Sequence, residues 1–239
     1  MSGRNAGASH EPERGEMLRT PNPIFDMRIL EQERDEKMTE AQPIEFYFDL
    51  SSPYGYLASC QIGAIAERHA RTVLWRPYLM GAAMKLTGRK PLVVQPMVSD
   101  YARTDLARSA RRAGVKFSLP DPFPVATVAG CRAYYWLLDR DEEKAKSLAQ
   151  ALYVAFFVEG RNIGEPEVVM DVASALGIDR DALSAALQDP AVKARLKQVN
   201  DDAIARGIFG SPFFIIEGEA FWGNDRLREV DEWLETGGW

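Results

Sequence analysis

One corner constrains this chain more than any other stretch. Ser51-Ser52-Pro53-Tyr54 joins the short run Ile44-Glu45-Phe46-Tyr47-Phe48 directly to a helical pattern. Residues 44–49 are short, apolar and aromatic, the composition of a buried strand. Ser52 and Pro53 suit a helix start: a serine oxygen accepts a backbone N–H that the first turn leaves free, and proline has no N–H to lose. Tyr54 to Ala70 then carries Leu57, Ile62, Ile65 and Ala66 at helical spacing, and Thr72 to Tyr78 reads as a second strand. Strand, helix and strand in so short a stretch predict a parallel βαβ unit with a right-handed crossover.

From Leu79 to about Arg206 the pattern is almost wholly helical. Tyr101–Ala113 is a basic amphipathic helix, broken by Gly114 and by the cluster Pro120, Pro122 and Pro124. Val125–Leu138, Lys144–Val158, Pro166–Leu176 and Asp179–Leu187 follow, and Pro190 opens a helix that runs to Gly207. Strand character returns at Phe213–Ile216. Glu217-Gly218 turns the chain, Glu219–Phe221 runs back as a hairpin, and Arg226–Leu234 is a last helix. The order βαβ, helical block, ββα is that of an α/β thioredoxin fold with a large all-helical domain inserted between the second and third strands. The division is then residues 43–78 with 207–239 as the thioredoxin-like domain and 79–206 as the inserted domain. Residues 1–42, with 9 acidic and 6 basic residues and little that could form a core, read as a disordered tail. Residues 24–37 could form a transient charged helix, and Met38, just before the first strand, offers an alternative start.

Composition removes several function classes. A net charge of −6 argues against a nucleic-acid footprint. No apolar run approaches the roughly 18 residues of a membrane span, and no secretory leader is expected from the N-terminus. Cys60 and Cys131 are the only cysteines and form no CxxC, which fits a reducing compartment, here the cytoplasm, and excludes a cysteine-based zinc site. Two histidines leave no His-rich metal site, so no metal is expected.

Thioredoxin-fold oxidoreductases carry a Cys-Pro-x-Cys at such a strand-to-helix corner. Here Ser52 stands in place of the first cysteine and Gly55 in place of the second. Ser52 reads either as a plain helix N-cap or as a hydrogen-bond donor to a thiolate supplied by another molecule, since a helix start favours an anion. As a nucleophile it would need a base, and no nearby histidine is suggested. Ser211-Pro212 reads as an ordinary strand-entry proline or, from the fold, as a cis peptide facing the corner, with the Ser211 backbone pairing with an extended ligand. Trp222-Gly223-Asn224-Asp225-Arg226 is either a helix start, with Asn224 as its cap and Trp222 in the core, or a site where a carboxylate meets the helix and Asp225 meets an ammonium group. Arg103, Arg108, Arg111, Arg112 and Lys116 form a solvated helix face, His69 a C-terminal cap, and Cys60 a packed residue without a redox role. Tyr134-Tyr135-Trp136 and Phe156-Phe157 read as core or dimer surface.

Taken together, Phe46-Tyr47-Phe48-Asp49-x-x-Ser52-Pro53-Tyr54-x-Tyr56-Leu57, Gly207-x-Phe209-Gly210-x-Pro212-Phe213-Phe214 and Phe221-Trp222-Gly223-Asn224-Asp225-Arg226 resemble the 2-hydroxychromene-2-carboxylate isomerases. That family is close to the kappa-class glutathione transferases, within the larger DsbA-like group. The resemblance runs from about Ile44 to Leu234, strongly at both ends and loosely through the helical middle. It implies glutathione as cofactor, with its thiolate by Ser52 and Pro53, its backbone along Ser211 and Pro212, and its γ-glutamyl end at Trp222, Asn224 and Asp225. It also implies an isomerisation by thiolate addition, bond rotation and elimination in aromatic-compound catabolism, with Ser52 as the catalytic residue and a homodimer as the assembly. The substrate would be a small aromatic or conjugated carboxylate. Where the kappa enzymes have an asparagine in a Ser-Gly-Asn turn, this chain has Thr87-Gly88-Arg89. Arg89 could contact glutathione or a substrate carboxylate, with Lys85 one helical turn earlier and Tyr54 as further substrate contacts, or Lys85 and Arg89 are a solvated loop. A kappa-like transferase and a redox-inactive thioredoxin-fold binding or chaperone module are the alternative readings.

Overall fold

The strands assemble around β1 (Ile44–Phe48), which a computed structural model describing residues 42–239 places at the centre of the sheet. β2 (Val73–Pro77) lies parallel to it, with Phe46 opposite Trp75. β3 (Phe213–Ile216) lies antiparallel on the other side, and β4 (Glu219–Trp222) pairs antiparallel with β3. The result is a mixed four-stranded sheet in the order β2-β1-β3-β4. The tail expected over residues 1–42 lies, Gln42 excepted, outside the described residues.

Between β1 and β2 the expected single helix is two: α1 (Pro53–Ser59) and α2 (Ile62–Arg68). The break at Cys60-Gln61 has a side-chain cause. The Ser59 hydroxyl donates back to the Tyr56 carbonyl at 2.7 Å, and Gln61 Nε2 donates to the Leu57 carbonyl at 2.7 Å. Such side-chain bonds compete with the backbone ladder and bend helices. The break also turns Cys60 outward, so it is exposed rather than packed. Its thiol is shifted upward, chiefly by partial desolvation, away from the reactive thiolate.

Between β2 and β3 come α3 (Met80–Thr87), a 3-10 turn (Leu92–Val94), α4 (Val98–Ala113), α5 (Val128–Leu138), α6 (Glu142–Phe157), α7 (Pro166–Ala175), α8 (Arg180–Gln188) and α9 (Pro190–Ala205). A 3-10 turn (Asn224–Arg226) and α10 (Leu227–Thr236) follow β4. No helix among the described residues is long and apolar enough to cross a membrane.

Alternation along β1 decides how the sheet packs. Ile44, Phe46 and Phe48 face one side and are fully buried. The Phe46 ring stacks on Phe48 at 4.7 Å and on Phe214 at 5.3 Å. Helices α5 and α6 cover this face. Tyr134 and Tyr135 of α5 donate to the carbonyls of Trp75 and Pro77, and Tyr153, Phe156 and Phe157 of α6 are fully buried against the same core. These aromatics are therefore core, each adding roughly 1.5–3 kcal/mol of burial. His69 does occupy the C-cap of α2, and its ring also reaches α10, 2.7 Å from Asp231 Oδ1 and 3.6 Å from Glu235 Oε2.

Glu45 lies on the opposite face of the sheet. It accepts two bonds of 2.7 Å from Arg206, one of 3.1 Å from Arg76 Nε and one of 3.0 Å from the Tyr47 hydroxyl. The Arg206 hydrogen bonds hold its carboxyl below the usual glutamate value, while burial pushes the Tyr47 hydroxyl up to about 12. A depressed carboxyl stabilises the fold above the unfolded-state pKa of about 4.3, and that stability is lost as pH falls through the folded value. Glu45→Gln should cost about 1–2 kcal/mol at pH 7, trimmed by the exposure of Arg206. The gap to wild type should close below about pH 4. Urea unfolding at pH 7 and pH 3 checks this; a gap equal at both would remove the carboxylate from the account.

Candidate functional site

The end of β1 is held by a buried carboxylate. Asp49 Oδ1 accepts from Ser51 N at 2.8 Å and from the Thr127 hydroxyl at 3.0 Å, and Oδ2 accepts from Met80 N at 2.9 Å. Met80 opens α3 and Thr127 is the N-cap residue of α5, so one carboxylate ties the corner to two helix starts. Burial raises the Asp49 pKa against the pull of those three donors, and a carboxylate that meets only donors fits its ionised form. Around it the backbone closes: Ser52 N donates to the Asp49 carbonyl at 2.8 Å, and so does the Tyr153 hydroxyl at 3.0 Å.

Ser52 caps α1 as the sequence implies, its Oγ accepting from Gly55 N at 3.0 Å. The same hydroxyl donates to the Ser211 carbonyl at 3.0 Å. Ser211 Oγ in turn accepts from Asp49 N at 2.9 Å, and the Ser211–Pro212 peptide is cis, as expected from the fold. Asp121–Pro122 and Phe123–Pro124 are cis as well. The structure thus brings Ser52, Pro53, Ser211 and Pro212 together, with both serines largely buried.

Gly55 is fixed by what surrounds it. A Cβ there would lie 2.6 Å from the Tyr153 hydroxyl, 2.9 Å from Ser211 Oγ and 3.1 Å from Ser52 Cβ. The space that a second cysteine would need is filled, so the corner lacks room for a dithiol as well as the sulfur itself.

Tyr54 lies at the start of α1, and its hydroxyl donates to Asp105 Oδ2 of α4 at 2.7 Å. Burial first, then the Asp105 bond, raises its pKa far above that of an ordinary tyrosine, so it stays protonated. Asp105 is also paired with Arg108. The other basic residues of that helix face, Arg103, Arg111 and Arg112, are exposed, as is Lys116 just beyond it.

Arg89 joins the site in a way the sequence did not show. Its guanidinium lies over the Phe209 ring at 4.8 Å and over the Trp222 ring at 4.9 Å. Trp222 is 47% exposed, so it forms an accessible wall and is not core. Arg89 makes no hydrogen bond or ion pair among the described residues, and neither does Lys85, exposed in the last turn of α3. Leu86, Leu92, Val94, Met97 and Tyr101 follow along the chain and are also exposed.

Asn224 is not a helix cap. Gly223 precedes a 3-10 turn, α10 starts from Arg226, and Asn224 Oδ1 instead accepts from Gln61 Nε2 at 3.3 Å. The contact ties the Trp222–Arg226 segment to the break between α1 and α2. Among the described residues no cluster of His, Cys, Asp and Glu side chains could hold a metal ion.

Comparisons with known proteins bear on the family and the fold. The family model described as a DSBA-like thioredoxin domain matches residues 43–235. A 2-hydroxychromene-2-carboxylate isomerase from Sphingobium xenophagum is 28% identical over 197 residues, covering 80% of this chain and 97% of that protein. Glutathione S-transferase kappa 1 from Caenorhabditis elegans is 24% identical, covering 83% and 93%. The solved structure of a 2-hydroxychromene-2-carboxylate isomerase superposes with a TM-score of 0.72 at 26% identity, covering 80% of this chain and 94% of that one.

Proposed function

This chain belongs to the DsbA-like thioredoxin domain family, and on that premise we propose that it is a glutathione-dependent isomerase of the 2-hydroxychromene-2-carboxylate type. The observation that carries the reading is a cysteine-free corner where the Ser52 hydroxyl donates to the carbonyl of Ser211. A cysteinyl peptide N–H fits that carbonyl as well as the serine does. Once a ligand N–H takes the place, the Ser52 proton is free to turn toward a sulfur beside it. The residues present suit the rest of the molecule: Trp222 and Arg89 offer an apolar wall and a cation, and Asn224 and Asp225 offer an amide and a carboxylate for a zwitterionic end.

Bound glutathione would supply a thiolate nucleophile that adds reversibly to a conjugated carbon. Ser52 holds its negative charge by a hydrogen bond. Arg89 and Lys85 receive the substrate carboxylate, and Tyr54 borders its ring. Two unbridged cysteines suit a reducing cytoplasm.

A kappa-like transferase has support from the Caenorhabditis elegans relative. Mass spectrometry of products formed from a conjugated aromatic carboxylate and substoichiometric glutathione separates the two. Full conversion with glutathione recovered is the expected result, and a conjugate accumulating in proportion to glutathione consumed would favour the transferase.

A further inference from the structure

The hydroxyls of Tyr153 and Ser211 converge where a second cysteine would sit, with Ser52 Cβ beside them, and the protons of the three side chains are not equally engaged. The Ser52 proton goes to the Ser211 carbonyl, and the Tyr153 proton goes to the Asp49 carbonyl. Ser211 Oγ accepts from Asp49 N at 2.9 Å, but its own proton meets no acceptor among the described residues. Ser211 is only 9% exposed, so water does little to satisfy it. A buried hydroxyl with an uncommitted proton is uncommon, because leaving it unpaired costs free energy. Ser211 Oγ and Ser52 Cβ lie 2.9 Å and 3.1 Å from the same point above Gly55, which places the two serines side by side.

We infer that Ser211 is a second catalytic residue: its side-chain hydroxyl donates a hydrogen bond to the thiolate bound beside Ser52. The inference rests on the proposed glutathione site and assigns the side chain a task separate from that of its backbone carbonyl. Asp49 N orients the oxygen by donating to it, and the proton is left to face an incoming anion. The site then holds thiolate charge with two hydroxyls, one of them already free before any ligand arrives.

Ser211→Ala tests this through the acidity of bound glutathione, read as thiolate absorbance against pH. Loss of one hydrogen bond to a charged group should raise the thiol pKa by about one to two units. Binding of S-methylglutathione, which has no thiolate, should change by less than about threefold. Ser211→Thr, which keeps the hydroxyl, should restore the wild-type titration. An unchanged thiol pKa in Ser211→Ala, with glutathione still bound, would overturn the inference and leave the proposed function standing. Equal weakening of glutathione and S-methylglutathione without a pKa change would also overturn it, reducing Ser211 to the partner of Asp49 N. No saturable binding of glutathione by the wild-type protein would overturn both.

Discussion

Replacing Ser52 with alanine should raise the thiol pKa of bound glutathione by about one to two units. The size follows from a hydrogen bond to a charged group, worth about 1.5–3 kcal/mol, at 1.36 kcal/mol per unit. At neutral pH the bound thiolate fraction, and the turnover that depends on it, should fall by several-fold, to at most roughly 100-fold. Ser52→Ala also removes the cap on Gly55 N, which should lower stability by about 1 kcal/mol. Urea unfolding measures that loss apart from the titration. A variant that loses only the stability, with its titration unmoved, would leave Ser52 as a helix cap alone.

Gly55→Ala should be among the most damaging single-methyl additions in the chain. The new Cβ would meet the Tyr153 hydroxyl at 2.6 Å, and Tyr153 cannot swing aside: it is fully buried, tied to the Asp49 carbonyl and packed on Phe48, Tyr56 and Phe157. Overpacking of this kind costs about 1–3 kcal/mol. The first turn of α1 would have to shift away from Ser211, so glutathione binding should weaken as well. Tyr153→Phe removes the oxygen that collides, so the double variant should be less destabilised than the sum of the two singles, by about 0.5 kcal/mol or more. Strict additivity in urea unfolding would mean that the two residues do not compete for the space. The same crowding bears on the chemistry: a cysteine at 55 would displace Tyr153, so restoring Cys-x-x-Cys needs more than two substitutions.

What was legible in the sequence was what local rules and chain order determine. The strand at Ile44, the Ser52-Pro53 start of α1 and the hairpin at Glu217-Gly218 each carry their own signal, and all three are present. What was not legible depends on residues far apart in the chain. The break between α1 and α2 needs Gln61 to reach Leu57 and Asn224 at once, and Asn224 is lost as a cap for the same reason. The stacking of Arg89 on Phe209 and Trp222 joins a helix end to a loop and to the end of β4, both more than a hundred residues later. Asp49 had a readable sign, a carboxylate ending a buried aromatic strand, but its partners Met80 and Thr127 come from two separate helix starts. Tyr153 gave none, because an aromatic in an apolar helix looks like any other core residue until its hydroxyl is placed.

The central claim is that this corner holds a sulfur it does not own. Titrating the wild-type protein with glutathione at neutral pH, and reading thiolate absorbance, tests it most directly. An ordinary thiol, with a pKa of about 8.5, is mostly protonated under those conditions. The account predicts a saturable thiolate signal that S-methylglutathione competes away. Glutathione that stays protonated in the presence of excess protein, or a signal that never saturates, would contradict it.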